Sequence, residues 1–319
     1  MYNTNEIKSG FVAILGRPNV GKSTLMNHLI GMKIAAVSKR AQTTRKKIQT
    51  VYTDERGQIV FLDTPGINKS ETKLGDFMLE SAVDTLKTAD MILWVVEPST
   101  FIGTGERSIA EMIGKTVRGI RKKAKDGENK CPVVLVINKC DTAEDDRLQK
   151  TEETYIAYLS ENEEITFDKV ISVSATEGNG LDTLMQEIFD RLPFGPMYYD
   201  EDTITEETER EIAAEYIREK CLRNLDKEIP HGIAVVIDKM RTRPDGRLID
   251  IEATIICEKE SHKGIIIGKN GAMLKRIGIQ SRKDIEEMLD MKVNLKLWVK
   301  VRPGWRDKSI FLNEYGYKK

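Results

Sequence analysis

Gly16-Arg17-Pro18-Asn19-Val20-Gly21-Lys22-Ser23 has the form GxxxxGKS, and its surroundings give that form its meaning. The apolar run Phe11 to Leu15 reads as a buried strand leading in. Thr24 to Ile30 reads as a helix leading out, with Leu25, Met26, Leu29 and Ile30 on its buried side. A glycine-rich turn between a strand and a helix lets backbone N–H groups converge on phosphate oxygens, and the helix N-terminus adds positive potential. In such a loop Lys22 reaches the β- and γ-phosphates, and the Ser23 hydroxyl ligates Mg²⁺. A chance glycine turn containing Lys-Ser would not bring the strand and helix with it.

The base is read downstream. Pro132 to Ile137 is another buried strand, ending in Asn138-Lys139-Cys140-Asp141. The Asp141 carboxylate can accept from guanine N1–H and the exocyclic amine together. Adenine lacks that donor pair and would leave the carboxylate unpaired. The stem of Lys139 is expected along the base, and Asn138 is expected to tie this loop to the phosphate loop. Alone, Asn-Lys-x-Asp is an ordinary polar turn; behind the phosphate loop it specifies guanine. A third strand, Val170 to Val173, ends in Ser174-Ala175, whose backbone N–H is a candidate donor to guanine O6.

Between these lies Ile59 to Leu62, ending in Asp63-Thr64-Pro65-Gly66. Asp63 is placed to hold Mg²⁺ through water, and the Gly66 N–H to contact the γ-phosphate. Loss of that phosphate would release the segment, as in a switch. Upstream, Ala41-Gln42-Thr43-Thr44-Arg45 offers a threonine to Mg²⁺, Thr44 being the choice. A plain flexible loop is the alternative reading there. Each motif ends a strand, where open α/β sheets hold their ligands. This order resembles the translation-factor-related GTPases.

The chain has 319 residues and a formal charge of −1. That length suggests two domains, and net charge alone gives no polyanion partner. The distribution does. Residues 239–319 carry 19 Lys and Arg against 11 Asp and Glu, whereas residues 200–230 carry 5 against 11. A basic module behind an acidic stretch points to nucleic acid at that end, against the plainer reading of a charged, solvated surface. Cys131, Cys140, Cys221 and Cys257 lack CxxC spacing, so neither zinc nor a disulfide framework is indicated. Free thiols fit a reducing cytosol. No signal peptide and no apolar run near 18 residues is seen, so a soluble chain is expected.

The first domain is expected over residues 1–193, closed by a helix from Leu181 to Leu192. Gly114 to Lys130 reads as a basic surface insertion. Pro193-Phe194-Gly195-Pro196 breaks the pattern, and acidic sequence over 194–209 reads as an interdomain linker. A second domain, 210–301, begins with a helix burying Ile212, Ala213, Tyr216, Ile217, Cys221 and Leu225. A hairpin follows, Ile233 to Met240 and Leu248 to Cys257, turning at Arg243-Pro244-Asp245-Gly246. Then comes Ile266-Ile267-Gly268-Lys269-Asn270-Gly271 between two helices, the second from Ala272 to Leu289, before a strand from Val293 to Val301. This is the pattern of a type II KH domain rather than a helix-turn-helix. Gly268 and Gly271 let a single-stranded backbone approach, Lys269 and Asn270 stand between them, and apolar neighbours form a groove for about four bases. Residues 302–319 read as a basic tail.

The whole chain resembles the bacterial Era family. Beyond the three nucleotide motifs, the match includes Gln42-Thr43-Thr44-Arg45, Ile67 after Gly66, and Ala214-Glu215-Tyr216-Ile217-Arg218-Glu219-Lys220. It runs through Ile267-Gly268-Lys269-Asn270-Gly271 to Val299-Lys300-Val301-Arg302-Pro303-Gly304-Trp305-Arg306. The resemblance implies an α/β P-loop GTPase domain, with a mostly parallel sheet and helices on both faces, followed by a smaller α+β KH domain. It implies GTP/GDP and Mg²⁺ as ligands, bound by residues 16 and 19–24, by Asn138, Lys139 and Asp141, and by Ser174 and Ala175. Lys22, Thr44, Asp63 and Gly66 would carry hydrolysis. The implied partner is the 3′ region of 16S rRNA on the small ribosomal subunit, for a cytoplasmic monomer with peripheral membrane contact. Two departures are the long Gly114–Lys130 stretch and Asn68-Lys69-Ser70 in place of an expected His-Lys-Pro. Ile67 occupies the position where many GTPases carry a water-orienting glutamine, so slow intrinsic hydrolysis is expected. Related GTPases with Asn19 and a hydrophobic residue there use K⁺, which the resemblance extends to Asn19. The competing readings are a constitutive RNA binder with a structural nucleotide site and a P-loop metabolic kinase.

Overall fold

Strands that are apolar on both faces must be covered on both faces, and four strands here are of that kind. In the computed structural model, which describes residues 7–36, 45–66, 72–123, 131–226 and 228–317, β1 (Lys8–Leu15), β3 (Gly57–Asp63), β4 (Met91–Val96) and β5 (Val133–Ile137) lie side by side. Among the described residues a six-stranded sheet has the order β2-β3-β1-β4-β5-β6, with β2 (Ile48–Asp54) and β6 (Lys169–Ser172) at its edges. All pairs are parallel except β2 with β3.

The chain between these strands forms α1 (Lys22–Ile30), α2 (Lys73–Thr88), α3 (Thr104–Lys123) and α4 (Asp145–Glu163), and α5 (Leu181–Arg191) follows β6. One core joins Ala13, Leu15, Trp94, Val96, Leu135 and Ile137 of the strands to Leu86, Ile109, Ile113, Tyr155 and Leu159 of α2, α3 and α4. Trp94 meets Tyr155 edge-on at 5.3 Å between ring centroids. The alternate strand residues Val12, Ile14, Leu93, Val95, Val134 and Val136 are equally buried, as are Leu25 and Met26 of α1 and Leu184 and Ile188 of α5. Each such aliphatic side chain contributes about 1.5–3 kcal/mol. The strand order reverses direction at β1. The crevice at its C-terminal end is therefore the switch point of the sheet, and residues 16–21 lie there.

Two sequence expectations change. The basic stretch from Gly114 is not a surface insertion up to Lys123: it is the second half of α3, with Gly114 and Val117 buried. A Cβ on Gly114 would lie 2.2 Å from Glu163 Oε2. Arg118 pairs with that carboxylate at 3.0 Å and Arg121 with Asp168 at 3.6 Å. The apolar i, i+3, i+4 stripe Ile109, Ile113, Val117 simply continues beneath the charges. Residues 124–130 lie outside the described residues.

The 194–209 stretch is not a free tether either. The first unit extends to Glu206. Val51 N–H donates to Ile204 O at 2.7 Å, and Thr205 Oγ1 to Gln49 O at 2.6 Å. The side chain of Gln58, fully buried, is saturated: its oxygen accepts from the N–H groups of Tyr198 and Tyr199, and its NH₂ donates to Tyr199 O and Thr53 Oγ1. A chain that reads as polar and broken in sequence thus covers the open edge of β2, answering the hazard of an unpaired strand.

The second unit begins with α6 (Glu209–Asn224), whose start is a reciprocal capping box between Thr208 and Glu211. The hairpin β7 (Ala234–Thr242) and β8 (Leu248–Cys257) is joined by β9 (Lys292–Val301), parallel to β8. Between β8 and β9 run α7 (Glu260–Ile267) and α8 (Ala272–Leu289). The end of the chain is not a loose tail. Trp305 is fully buried, donates Nε1–H to Gly232 O at 2.9 Å, and packs against Tyr315 and Tyr317; α9 (Ser309–Glu314) closes the fold.

Candidate functional site

The loop between β1 and α1 is held in an unusual backbone shape. Asn19 and Gly21 have φ of 70° and 99°, and Gly21 is the N-cap of α1. A Cβ on Gly21 would lie 2.1 Å from Asn138 Nδ2, so glycine is required by both torsion and space. Val20 is buried, and Ser23 and Thr24 sit half-buried in the first turn. Lys22 is 5% exposed and curls back to donate to Gly16 O at 3.0 Å and Arg17 O at 3.1 Å. Burial pushes its pKa below the ordinary lysine value, and the nearby Asp63 carboxylate opposes that shift.

Asp63 ends β3 beside this loop. Ser23 Oγ donates to Asp63 Oδ2 at 2.8 Å. A hydroxyl and a carboxylate meeting at one point are the hard oxygen donors Mg²⁺ takes, so these residues fit that ion. Thr64 is pinned by Oγ1 to Ile14 O at 2.8 Å. Gly66 lies so close to Pro18 that a Cβ would be 2.9 Å from the Pro18 nitrogen. Thr44, with Thr43, and the Ile67-to-Ser70 segment lie outside the described residues.

The loop after β5 clasps the phosphate loop. Asn138 Nδ2 donates to Val20 O at 2.8 Å, and its Oδ1 accepts from Ala175 N–H at 3.0 Å. One buried amide thereby connects three strand ends. Ala175 N–H is the Asn138 partner on the third of them, and Ser174 N–H donates to Asn179 O at 3.0 Å within its own loop. His28 adds a further tie, Nδ1 to Ala175 O at 3.0 Å. Asp141 stands exposed at the end of this loop, in the 3₁₀ turn Cys140–Thr142.

Sequence reasoning missed two charged anchors. Glu106 of α3, almost wholly buried, pairs with Arg17 inside the phosphate loop. Glu97, just past β4, pairs with Lys139, whose Nζ also donates to Asn19 O at 2.9 Å. The available signal was their position: Glu97 follows an all-apolar strand next in the sheet to the one ending in Asn138.

In the second unit, Gly268 (φ 72°), Asn270 (φ 52°) and Gly271 (φ 77°) form the turn between α7 and α8. A Cβ on Gly268 would lie 2.9 Å from Met273 N, whereas one on Gly271 meets nothing within 4 Å. Lys269 and Asn270 are exposed. Ile266 is buried, while Ile265 and Ile279 remain about half exposed beside the loop. Open backbone, a cation and apolar surface are together here, as single-stranded nucleic acid requires.

Burial pushes the Cys131 and Cys221 thiols up to about 12 and Cys257 up to about 11, so none is a ready nucleophile. Among the described residues there is no cluster of three metal-ligating His, Cys, Asp or Glu side chains, and no helix is long and apolar enough to cross a membrane.

A family model described as a 50S ribosome-binding GTPase matches residues 11–139, and one described as a KH domain matches residues 228–306. GTPase Era of Clostridioides difficile (strain 630) is 49% identical over 310 residues, which cover 97% of this chain and 98% of that protein. GTPase Era of Alkaliphilus metalliredigens (strain QYMF) is 50% identical over 311 residues, covering 98% and 99%. The crystal structure of an Aquifex aeolicus Era variant bound to GDP.AlF4- superposes with a TM-score of 0.85 at 34% identity, covering 98% of this chain and 100% of that one. A second solved structure, Era in complex with MgGDPNP and nucleotides 1506–1542 of 16S ribosomal RNA, gives 0.85 at 35% identity with the same coverage. The chain belongs to the Era GTPase family, a GTP-hydrolysing P-loop domain followed by a KH domain.

Proposed function

We propose that this GTPase is a switch that grips the 3′ region of 16S rRNA through its KH loop during maturation of the small ribosomal subunit. It acts as a cytoplasmic monomer that also touches the membrane peripherally. A relative held in complex with MgGDPNP and a 16S rRNA segment supports the reading. The observation that carries it is the Ser23–Asp63 contact at 2.8 Å with Lys22 buried in the same loop.

Phosphoryl transfer asks a protein mainly for positioning and charge neutralisation. Lys22 Nζ, which donates to two carbonyls of its own loop, would turn to the β- and γ-phosphates. Ser23, Asp63 and Thr44 hold Mg²⁺, which neutralises charge between the β- and γ-phosphates when bound. Gly66 N–H meets the γ-phosphate. The Asn19 side chain would help hold K⁺, whose charge would compensate for the missing glutamine at Ile67. The residues of the phosphate loop, Gly16 and Asn19 to Thr24, carry the phosphate chain. Asn138 fixes the base loop, Lys139 lies along the base and Asp141 reads it. Lys269 and Asn270, between Gly268 and Gly271, meet the RNA backbone. With triphosphate bound RNA is captured; hydrolysis loosens the grip.

Exchange of one atom pair tests the site. Asp141→Asn should lose GTP and gain xanthosine triphosphate, because the amide NH₂ donates to the carbonyl that replaces the guanine amine. A variant that keeps GTP and ignores the xanthine nucleotide removes Asp141 from the base site. Turnover faster in K⁺ than in Na⁺ at equal ionic strength, with the difference lost in Asn19→Ala, tests the cation; equal rates refute that part alone.

A further inference from the structure

We infer that Glu97 is a positioning residue for guanine-nucleotide binding, acting through Lys139. The inference rests on the base-loop reading above and adds to it the group that makes the loop rigid before nucleotide arrives.

The geometry begins in the sheet. Val96, the last residue of β4, is in register with Ile137, the last of β5, and Asn138 N–H donates to Val96 O at 2.8 Å. The two chains leave the sheet side by side, which sets Glu97 next to Lys139. Lys139 is one of six non-glycine residues at positive φ among the described residues, at φ 63° and ψ 36°. A left-handed lysine persists only where its surroundings over-determine it. Here the side chain supplies the constraint: Nζ is shared between the Glu97 carboxylate and Asn19 O.

That arrangement has a chemical consequence. A lysine stem is flexible, and a loose one must be ordered each time a base lies on it, whereas one already stretched between two anchors costs nothing further to order. The charge matters as well. A lysine ammonium without a counter-ion beside the phosphate loop would be drawn to the bound phosphates, and its stem would leave the base. The Glu97 carboxylate holds it at Asn19. Glu97 thus turns a mobile cation into a fixed apolar floor, and touches no nucleotide atom itself.

The test is a double-mutant cycle on the full chain, read by titration with GDP and with GTP and by steady-state hydrolysis. Glu97→Ala should raise Kd for both nucleotides about tenfold and raise KM in parallel, with kcat at saturation unchanged, because base contacts are common to ground and transition states. In the Lys139→Ala background, Glu97→Ala should add no further loss. Wild-type affinity in Glu97→Ala, a loss confined to kcat, or equal losses in both backgrounds would each overturn the inference. If Lys139→Ala itself binds GDP as tightly as wild type, the base-loop reading fails as well. A weakened Lys139→Ala beside an unaffected Glu97→Ala removes the tether alone.

Discussion

Two loops in this molecule share a local design and differ in everything around it. Residues 16–22 and 268–271 each contain a glycine at positive φ that caps a following helix, Gly21 before α1 and Gly271 before α8, and each contains a lysine. Around the first, space is filled: Asn138 occupies the position of a Gly21 Cβ, and Lys22 is folded inside. Around the second, space is empty beyond Gly271, and Lys269 is exposed. The same helix-end electrostatics therefore serve different ligands. An enclosed loop suits a short phosphate chain that must be desolvated and held for chemistry. An open loop suits a long strand that passes over it. The surroundings, rather than the glycines, set which polyanion is taken.

The comparison breaks most readily at Gly21. Gly21→Ala adds a Cβ against Asn138 at a torsion costing about 1–3 kcal/mol, so GTP affinity should drop roughly 10- to 100-fold. Near-normal binding in a titration would mean the loop is not held by that packing. A smaller effect is expected from Gly268→Ala, whose Cβ meets Met273 N. Thermal unfolding should shift down by about 1–2 kcal/mol, because φ 72° with ψ 174° is a backbone region essentially reserved for glycine, with RNA affinity reduced alongside. An unshifted transition would show that the turn accommodates the methyl group. The smallest effect sharpens the contrast between the two lysines. Burial lowers the Lys22 pKa, and a bound phosphate chain must raise it. GTP binding should then take up protons at alkaline pH, and affinity should weaken as pH rises through the lowered value. Calorimetry in two buffers of different ionisation enthalpy reads this directly; no buffer dependence would contradict it.

Much of this contrast was legible in the sequence, because strand-ending motifs and glycine spacing are local signals. The Asn138 bridge to the phosphate loop is such a case, as is α8, whose limits at Ala272 and Leu289 agree with the apolar pattern. What was not legible depends on partners far along the chain. The strap over β2 is polar in sequence and is held by Gln49, Val51 and Gln58, 141 to 156 residues earlier. Trp305 looks like a tail residue until Gly232 receives its N–H. Arg118 and Arg121 look like a free basic patch until Glu163 and Asp168 meet them. The Ala175 N–H, read as a base donor, also has a side-chain partner 37 residues earlier in Asn138.

The central claim is that the two loops are separate sites with separate chemistries, and Gly271→Asp in the full chain tests it most directly. The substitution puts a carboxylate in the open space beside Gly271, over which the proposed RNA strand would pass. Binding to a single-stranded 16S 3′-end oligonucleotide and basal GTP hydrolysis are measured on the same preparation. RNA affinity should fall at least tenfold with hydrolysis close to wild type. Unchanged RNA affinity, or hydrolysis falling in step with it, would contradict the account.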